Sequence, residues 1–237
     1  MTTLLALDTA TEACSVALLR AGEVISLDEL SPKAHTKRIL PMVDEILATA
    51  GIALSDVDAL VYGRGPGSFT GVRIGCGIVQ GLALGVDCGV IGISNLTAMA
   101  QAAYQKCGAK TALCAIDARM GEVYFSALQH QAITLDEQTF DSWQALMAEQ
   151  VLPPEQLLSI LAEKNIHAEA FIGTGWQAYP ALSSVVKSAV EITLPSAQYM
   201  LPLAQAAFKQ GQVQDALAIE PVYIRNQVTW KKLPGRE

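Results

Sequence analysis

The chain has 237 residues, 51% of them hydrophobic and only 16% charged. That composition excludes a disordered chain and supplies core for one large domain or two small ones. A net charge of −7 argues against gripping nucleic acid unaided, because neutralising phosphates takes clustered Lys and Arg.

In chain order, Leu4-Leu5-Ala6-Leu7-Asp8 is an apolar run ending in an acid. The polar stretch Thr9-Ala10-Thr11-Glu12 follows, then Ala13 to Leu19, which together read as a hairpin of two strands. Gly22 turns the chain into a third strand, Glu23–Leu30. From His35 to Ala50, apolar residues at Ile39, Leu40, Met42, Val43, Ile46, Leu47 and Ala50 carry helical spacing. Gly51 ends that helix, and Pro41 predicts a kink or an irregular first turn. Ala59–Tyr62 is a short strand entering the most distinctive segment, Gly63 to Gly71.

The helix from Val72 to Gly85 keeps polar side chains only at Arg73 and Gln80. Its glycines recur every fourth residue, at 71 and 75 and at 77, 81 and 85, leaving flat faces where another backbone can approach. Ile74 to Val86 is thirteen uncharged residues, too short for a bilayer crossing. Val90–Ile93 is a strand and Asn95–Tyr104 a helix. Met1-Thr2-Thr3 carries no basic residue and Asp8 interrupts the apolar run, so no secretory leader is expected. Five cysteines without a CxxC suggest a reducing, cytoplasmic setting. Three scattered histidines, His35, His130 and His167, give no helix-borne zinc pair.

The second half echoes the first. Leu113-Cys114-Ala115-Ile116-Asp117 repeats the opening run, with the two aspartates 109 positions apart. Ala170-Phe171-Ile172-Gly173-Thr174-Gly175 repeats Leu60 to Gly65 at an offset of 110. Each half then reads strand, turn, strand, helix, strand, Gly-x-Gly, a duplicated α/β unit. The lobes are placed at 1–103 and 104–237. The helix from Pro154 to Glu163 belongs to the second. A last helix at Ala197–Gln210 packs back on the first lobe, and Pro221–Arg225 forms a final strand before a basic tail.

Asp8 and Asp117 end strands at turns, where carboxylates can hold a metal-bound phosphate or merely cap the turn. Ser68 is placed to cap the glycine-rich helix, whose first amides form an anion site. The loop is neither a Walker loop nor a nucleophile elbow, because no Gly-Lys follows and Pro66 replaces the elbow's first glycine.

Asp8-Thr9-Ala10-Thr11, the run Gly65-Pro66-Gly67-Ser68-Phe69-Thr70-Gly71-Val72-Arg73 and Asp117-Ala118-Arg119-Met120-Gly121-Glu122 resemble the bacterial TsaB (YeaZ) family. So do His35, Leu40-Pro41, Gly173–Tyr179 and Pro221–Arg225. The resemblance implies the two-lobed actin-like (ribonuclease-H-like) fold, with mixed sheets flanked by helices. It implies a role in making threonylcarbamoyladenosine in tRNA, as a non-catalytic partner of the transferase TsaD together with the ATPase TsaE. tRNA would be touched only indirectly. In TsaD two histidines hold a metal; Asn95 and Met99 stand at those positions here, and an amide and a thioether are poor ligands for it. No cofactor is expected.

Docking to TsaD, or to a second copy, is expected on the helices His35–Ala50 and Val72–Gly85, through His35, Ile39, Leu40, Val43, Ile46, Leu47, Val72, Cys76, Val79 and Ala83. The degenerate nucleotide cleft would gather Asp8, Thr9, Gly65, Gly67, Ser68, Asp117, Gly173 and Gly175. The rival reading is an ATP-dependent phosphotransferase or hydrolase with Asp8 and Asp117 facing the nucleotide. A peptidase is a weaker third.

Overall fold

The computed structural model describes residues 2–186 and 192–225. The basic positions Lys231, Lys232 and Arg236 lie outside the described residues. The opening hairpin forms as β1 (Leu4–Asp8) and β2 (Ala13–Arg20), followed by β3 (Glu23–Leu30), α1 (His35–Ala50), β4 (Ala59–Gly65), α2 (Phe69–Val86), β5 (Gly89–Ser94) and α3 (Asn95–Cys107). These strands make a sheet ordered β3-β2-β1-β4-β5. β1 runs antiparallel to β2, with Leu4 opposite Leu19, and parallel to β4, with Leu4 opposite Ala59.

The second half gives β6 (Thr111–Arg119), β7 (Glu122–Leu135), β8 (Gln138–Leu152), α4 (Pro154–Lys164), β9 (Ala170–Ile172), α5 (Gly175–Ala178), α6 (Pro180–Ser183) and α7 (Leu201–Lys209). Its sheet is ordered β8-β7-β6-β9, the order of the first without its fifth strand. β6 pairs parallel with β9, Ala112 opposite Ala170, as β1 pairs with β4. The duplication read from two sequence echoes is therefore a duplication of sheet topology.

All five residues of β1 are buried, so its sheet is covered on both faces. Leu5 and Leu7 pack with Ile39, Met42, Val43 and Ile46 of α1 and Val79 of α2. Leu4 and Ala6 pack on the other face with Met200, Leu201 and Ala204 of the α7 region. α3 lies between the sheets, with Leu96 and Met99 against Cys114 and Ile116 of β6. Beyond the second sheet, Phe125 and Leu113 pack with Leu157, Trp176 and Leu182.

This layering corrects the expected docking set. Ile39, Val43, Ile46, Leu47, Val72, Cys76, Val79 and Ala83 are all buried in the chain's own core. The 3.6-residue period reports the face turned toward the sheet, so the pattern that made the helices recognisable selected their inner sides. Of the expected set, Leu40, 43% exposed, and His35, half-buried, stay outside that core. α2 is apolar and long enough, by length and composition alone, to cross a membrane. Its buried stripe, from Val72 to Ala83, instead seats it on the sheet.

The two glycine rows of α2 divide. A Cβ at Gly71 would lie 2.1 Å from the Thr9 carbonyl oxygen, and one at Gly75 would lie 2.9 Å from Thr9 Oγ1. At Gly77, Gly81 and Gly85 a Cβ would meet nothing within 4 Å. The first row is internal packing and the second is open surface.

Two other expectations change, at the start of α2 and at residues 221–225, and the irregular first turn expected of α1 is present. α2 begins at Phe69 rather than Val72, because Ser68 caps it. α1 continues through Pro41, and its first turn is irregular, with the Lys37 and Arg38 amides both donating to the Ala34 carbonyl. Residues 221–225 are extended without being a strand; the Val222 amide makes one bond to the Arg64 carbonyl at 2.9 Å.

Candidate functional site

A cleft of about 660 Å³ opens between the β1–β2 turn, the Gly67-Ser68 loop and the β6–β7 turn. It is lined by Thr11, Glu12, His35, Gly67, Ser68, Asp117, Arg119, Tyr124, Thr174 and Arg225, among others. Of the expected cleft residues the structure brings together Gly67, Ser68 and Asp117. Asp8, Thr9, Gly65, Gly173 and Gly175 do not line it.

The reason is visible at each. Asp8 is 1% exposed and points behind the turn. Its Oδ1 accepts from Asn95 Nδ2 at 2.7 Å and its Oδ2 from the Ala10 amide at 3.2 Å. Asn95 Oδ1 in turn accepts from the Gly65 amide at 2.9 Å. Burial pushes the Asp8 carboxyl up to about 6, against the pull of the Asn95 and Ala10 hydrogen bonds. Gly63 makes room for this group: a Cβ there would lie 2.0 Å from Asp8 Oδ1.

The expected anion site is filled by the protein's own turn. The Ser68 amide donates to the Ala10 carbonyl at 2.6 Å, and Thr9 Oγ1 donates to the Gly71 carbonyl at 2.7 Å. Ser68 Oγ accepts from the Gly71 amide at 3.5 Å. Gly67 and Gly71 therefore let the β1–β2 turn press against the start of α2, where an anion was expected.

Asp117 does face the cleft, yet its acceptors are taken. Oδ1 accepts from the Arg119 amide and the Tyr179 hydroxyl, both at 2.9 Å, and Oδ2 pairs with the Arg119 guanidinium at 3.0 Å. Burial and this carboxylate together raise the Tyr179 hydroxyl above its usual range. His35 is held by Nε2 against the Thr11 carbonyl at 2.8 Å, which places it at the cleft instead of on a docking face.

The residues at TsaD's histidine positions are both buried. Asn95 ties the ends of β1 and β4 together, and Met99 packs beneath β6 and β9, with its Cε 3.2 Å from where a Gly173 Cβ would stand. Among the described residues no three His, Cys, Asp or Glu side chains converge on a metal-sized site. The cleft thus has room for a small ligand and side chains of both signs, but its two strand-end aspartates are occupied by internal donors.

Several residues at the cleft margin escaped sequence reasoning. Arg225 donates from Nη1 to the Ala118 carbonyl at 3.1 Å and from Nη2 to the Arg119 carbonyl at 3.3 Å, and it pairs with Glu122. The segment before it ties to the first lobe through Gln80 Nε2 and the Ala216 carbonyl at 2.9 Å and through the Tyr62 hydroxyl and the Glu220 carbonyl at 3.2 Å. Where α3 meets the second sheet's hairpin, His130 Nε2 meets Asp141 at 2.9 Å, Gln101 Nε2 donates to the same carboxylate at 2.5 Å, and Trp143 Nε1 donates to Gln101 at 2.8 Å. None of these has a sequence period that would announce it.

A family model described as TsaD, tRNA N6-adenosine threonylcarbamoyltransferase, matches residues 26–232. A relative from Haemophilus influenzae named tRNA threonylcarbamoyladenosine biosynthesis protein TsaB is 55% identical over 99% of this chain and 98% of its own. A relative of the same name from Escherichia coli is 52% identical over 99% of each. The solved structure of YeaZ from Pseudomonas aeruginosa superposes with a TM-score of 0.79 at 41% identity, covering 94% of this chain and all of its own. Together with the duplicated sheets, these likenesses establish the actin-like two-lobed fold, and the chain belongs to the TsaB (YeaZ) family.

Proposed function

We propose that this protein serves threonylcarbamoyladenosine biosynthesis in tRNA as a non-catalytic partner that binds and supports a TsaD-type transferase, acting with a TsaE-type ATPase. The observation that carries this reading is the internal occupation of the catalytic positions. Asn95, at a metal-histidine position of the transferase, spends its amide on Asp8 and the Gly65 amide, and Asp117 is satisfied by Arg119 and Tyr179. Relatives at 55% and 52% identity carry the name of the pathway. Five cysteines without a CxxC favour the cytoplasm.

The docking face is the outer side of the same two helices. Leu84 is 53% exposed beside the open row Gly77, Gly81 and Gly85, and Leu40 is 43% exposed on α1. A helix crossing at such a row can approach backbone to backbone. The same face can pair with a second copy when the transferase is absent, since a self-complementary patch closes into a two-fold dimer. Purified chain with a TsaD-type transferase and TsaE-type ATPase should form modified adenosine in a reconstituted assay, and omission of the chain should abolish it. Full activity without the chain, or a chain that transfers the group alone, overturns the reading.

A further inference from the structure

A second cavity, about 560 Å³, adjoins the cleft across Gly67, Phe69, Tyr124 and Arg225 and differs from it in having no acidic lining residue. Its walls are the first turns of α2, Tyr124 of β7 and residues 222–225. Phe69 is 58% exposed and Tyr223 43%, with ring centroids 5.6 Å apart. Arg73 lies over Phe69 and beside Tyr223, its guanidinium carbon 3.7 Å from the Phe69 centroid and 5.4 Å from that of Tyr223. Its Nε donates to the Tyr223 hydroxyl at 2.5 Å. Its two terminal nitrogens have no hydrogen-bond or ion-pair partner among the described residues.

We propose that this groove docks a short peptide segment of a partner protein in which an acidic residue adjoins a large apolar one. Charge complementarity carries the choice. No lining residue is acidic, although the chain as a whole is at −7. Glu122, on β7 two residues from the lining Tyr124, is paired with Arg225, whose own donors also go to two backbone carbonyls. One guanidinium, stacked over Phe69 beside Tyr223 with no partner for its terminal nitrogens among the described residues, matches one carboxylate. The exposed aromatic and aliphatic walls match one apolar side chain, the combination that anchors protein interfaces. A single strand of RNA would bring a phosphate at every step against the one unpaired cation that the described residues place in the groove. The chain's own residues 226–237 bring Lys231, Lys232 and Arg236 against a single acid, Glu237, a net charge of the wrong sign. The inference does not rest on the docking face above, because Arg73 belongs to the N-terminal turns of α2 and no transferase is needed to test it.

The full chain, without other proteins, is exposed to a displayed library of short random peptides and counter-selected on Arg73→Gln. Enriched sequences should place Asp or Glu beside Leu, Phe or Trp. A synthetic copy of the dominant peptide should bind about tenfold more weakly to Arg73→Gln, as expected for loss of a charge-assisted contact. It should bind comparably weakly to Tyr223→Ala and unchanged to Leu146→Ala on β8, and Asp→Asn in the peptide should reproduce the loss with wild-type protein. The inference is overturned if the enriched peptides lack an acid or bind Arg73→Gln equally well. It is also overturned if random-sequence single-stranded RNA or a second copy of the chain takes the groove in their place.

Discussion

Asp8 shows how a residue can keep its place in a fold after its setting has changed. Its position at the end of β1 was legible from the run Leu4-Leu5-Ala6-Leu7-Asp8 and from the echo at Asp117. Its burial was not, because the group that seals it, Asn95, lies 87 residues away and only the folded chain brings them together. The carboxyl sits near 6 when folded and at 3.8 in its ordinary state. Between those values the folded protein retains a proton that the unfolded chain has released. Its contribution is therefore favourable below about pH 4 and is lost as pH rises toward 6, by about 3 kcal/mol. Denaturant unfolding of wild type and Asp8→Asn across that window should show the variant lacking this decline. Parallel curves would mean that the proton is held elsewhere. Gly71 supports the same turn: Gly71→Ala drives a Cβ against the Thr9 carbonyl oxygen and should cost about 3 kcal/mol. For a chain of this size that is a drop of roughly 6–12 °C in Tm by calorimetry.

At the scale of the element, α1 and α2 mark the limit of periodicity as a guide. The apolar spacing located both helices, α1 over the full span His35–Ala50, because burying one stripe is what holds an amphipathic helix on a sheet. The same spacing says nothing of the outer face, which on α2 carries open glycines and an exposed Leu84 rather than a hydrophobic stripe and is the face proposed for docking. The two faces make opposite predictions. Val43→Glu or Leu47→Glu places a charge in the core beside Leu5 and Leu7 and should prevent folding, read as loss of the cooperative melt. Leu84→Glu should leave the melt within about 0.5 kcal/mol while weakening association with a TsaD-type transferase at least tenfold by calorimetry. Unchanged binding by folded Leu84→Glu would move the docking face off α2.

At the scale of the molecule, duplication was legible because the two halves preserve strand order, while the connection that joins them was not. The chain after α7 returns to the first lobe, meeting β5 at Val90 and Gln214 and α2 at Gln80 and Ala216, and then crosses to the β6–β7 turn, where Arg225 fixes it. Its apolar signal is short, only Val213, Ala216 and Ile219 entering the first lobe's cores, and its other links are single side chains or amides. This crossing spans the cleft margin, so Arg225 is placed to set how firmly the lobes hold together. Its side chain is only 14% exposed and the paired Glu122 is 32% exposed, which makes the pair less screened than a surface ion pair. Removing Arg225 strands Glu122 together with the carbonyls of Ala118 and Arg119. Arg225→Gln should therefore raise amide hydrogen exchange across residues 118–122 and 213–225, by a local opening cheaper by about 1–3 kcal/mol. The central strands β1 and β6 should keep their protection, because β1 packs mainly on α1, α2 and α7 and β6 on α3, while the crossing adds only Ala216, Ile219 and Val213 to the first lobe's cores. Exchanging the charges, with Glu122→Arg and Arg225→Glu together, should recover only part of it, since the two backbone carbonyls lose their donor. Protection that is unchanged in Arg225→Gln would show that the links to Gln80 and Tyr62 suffice to hold the crossing in place.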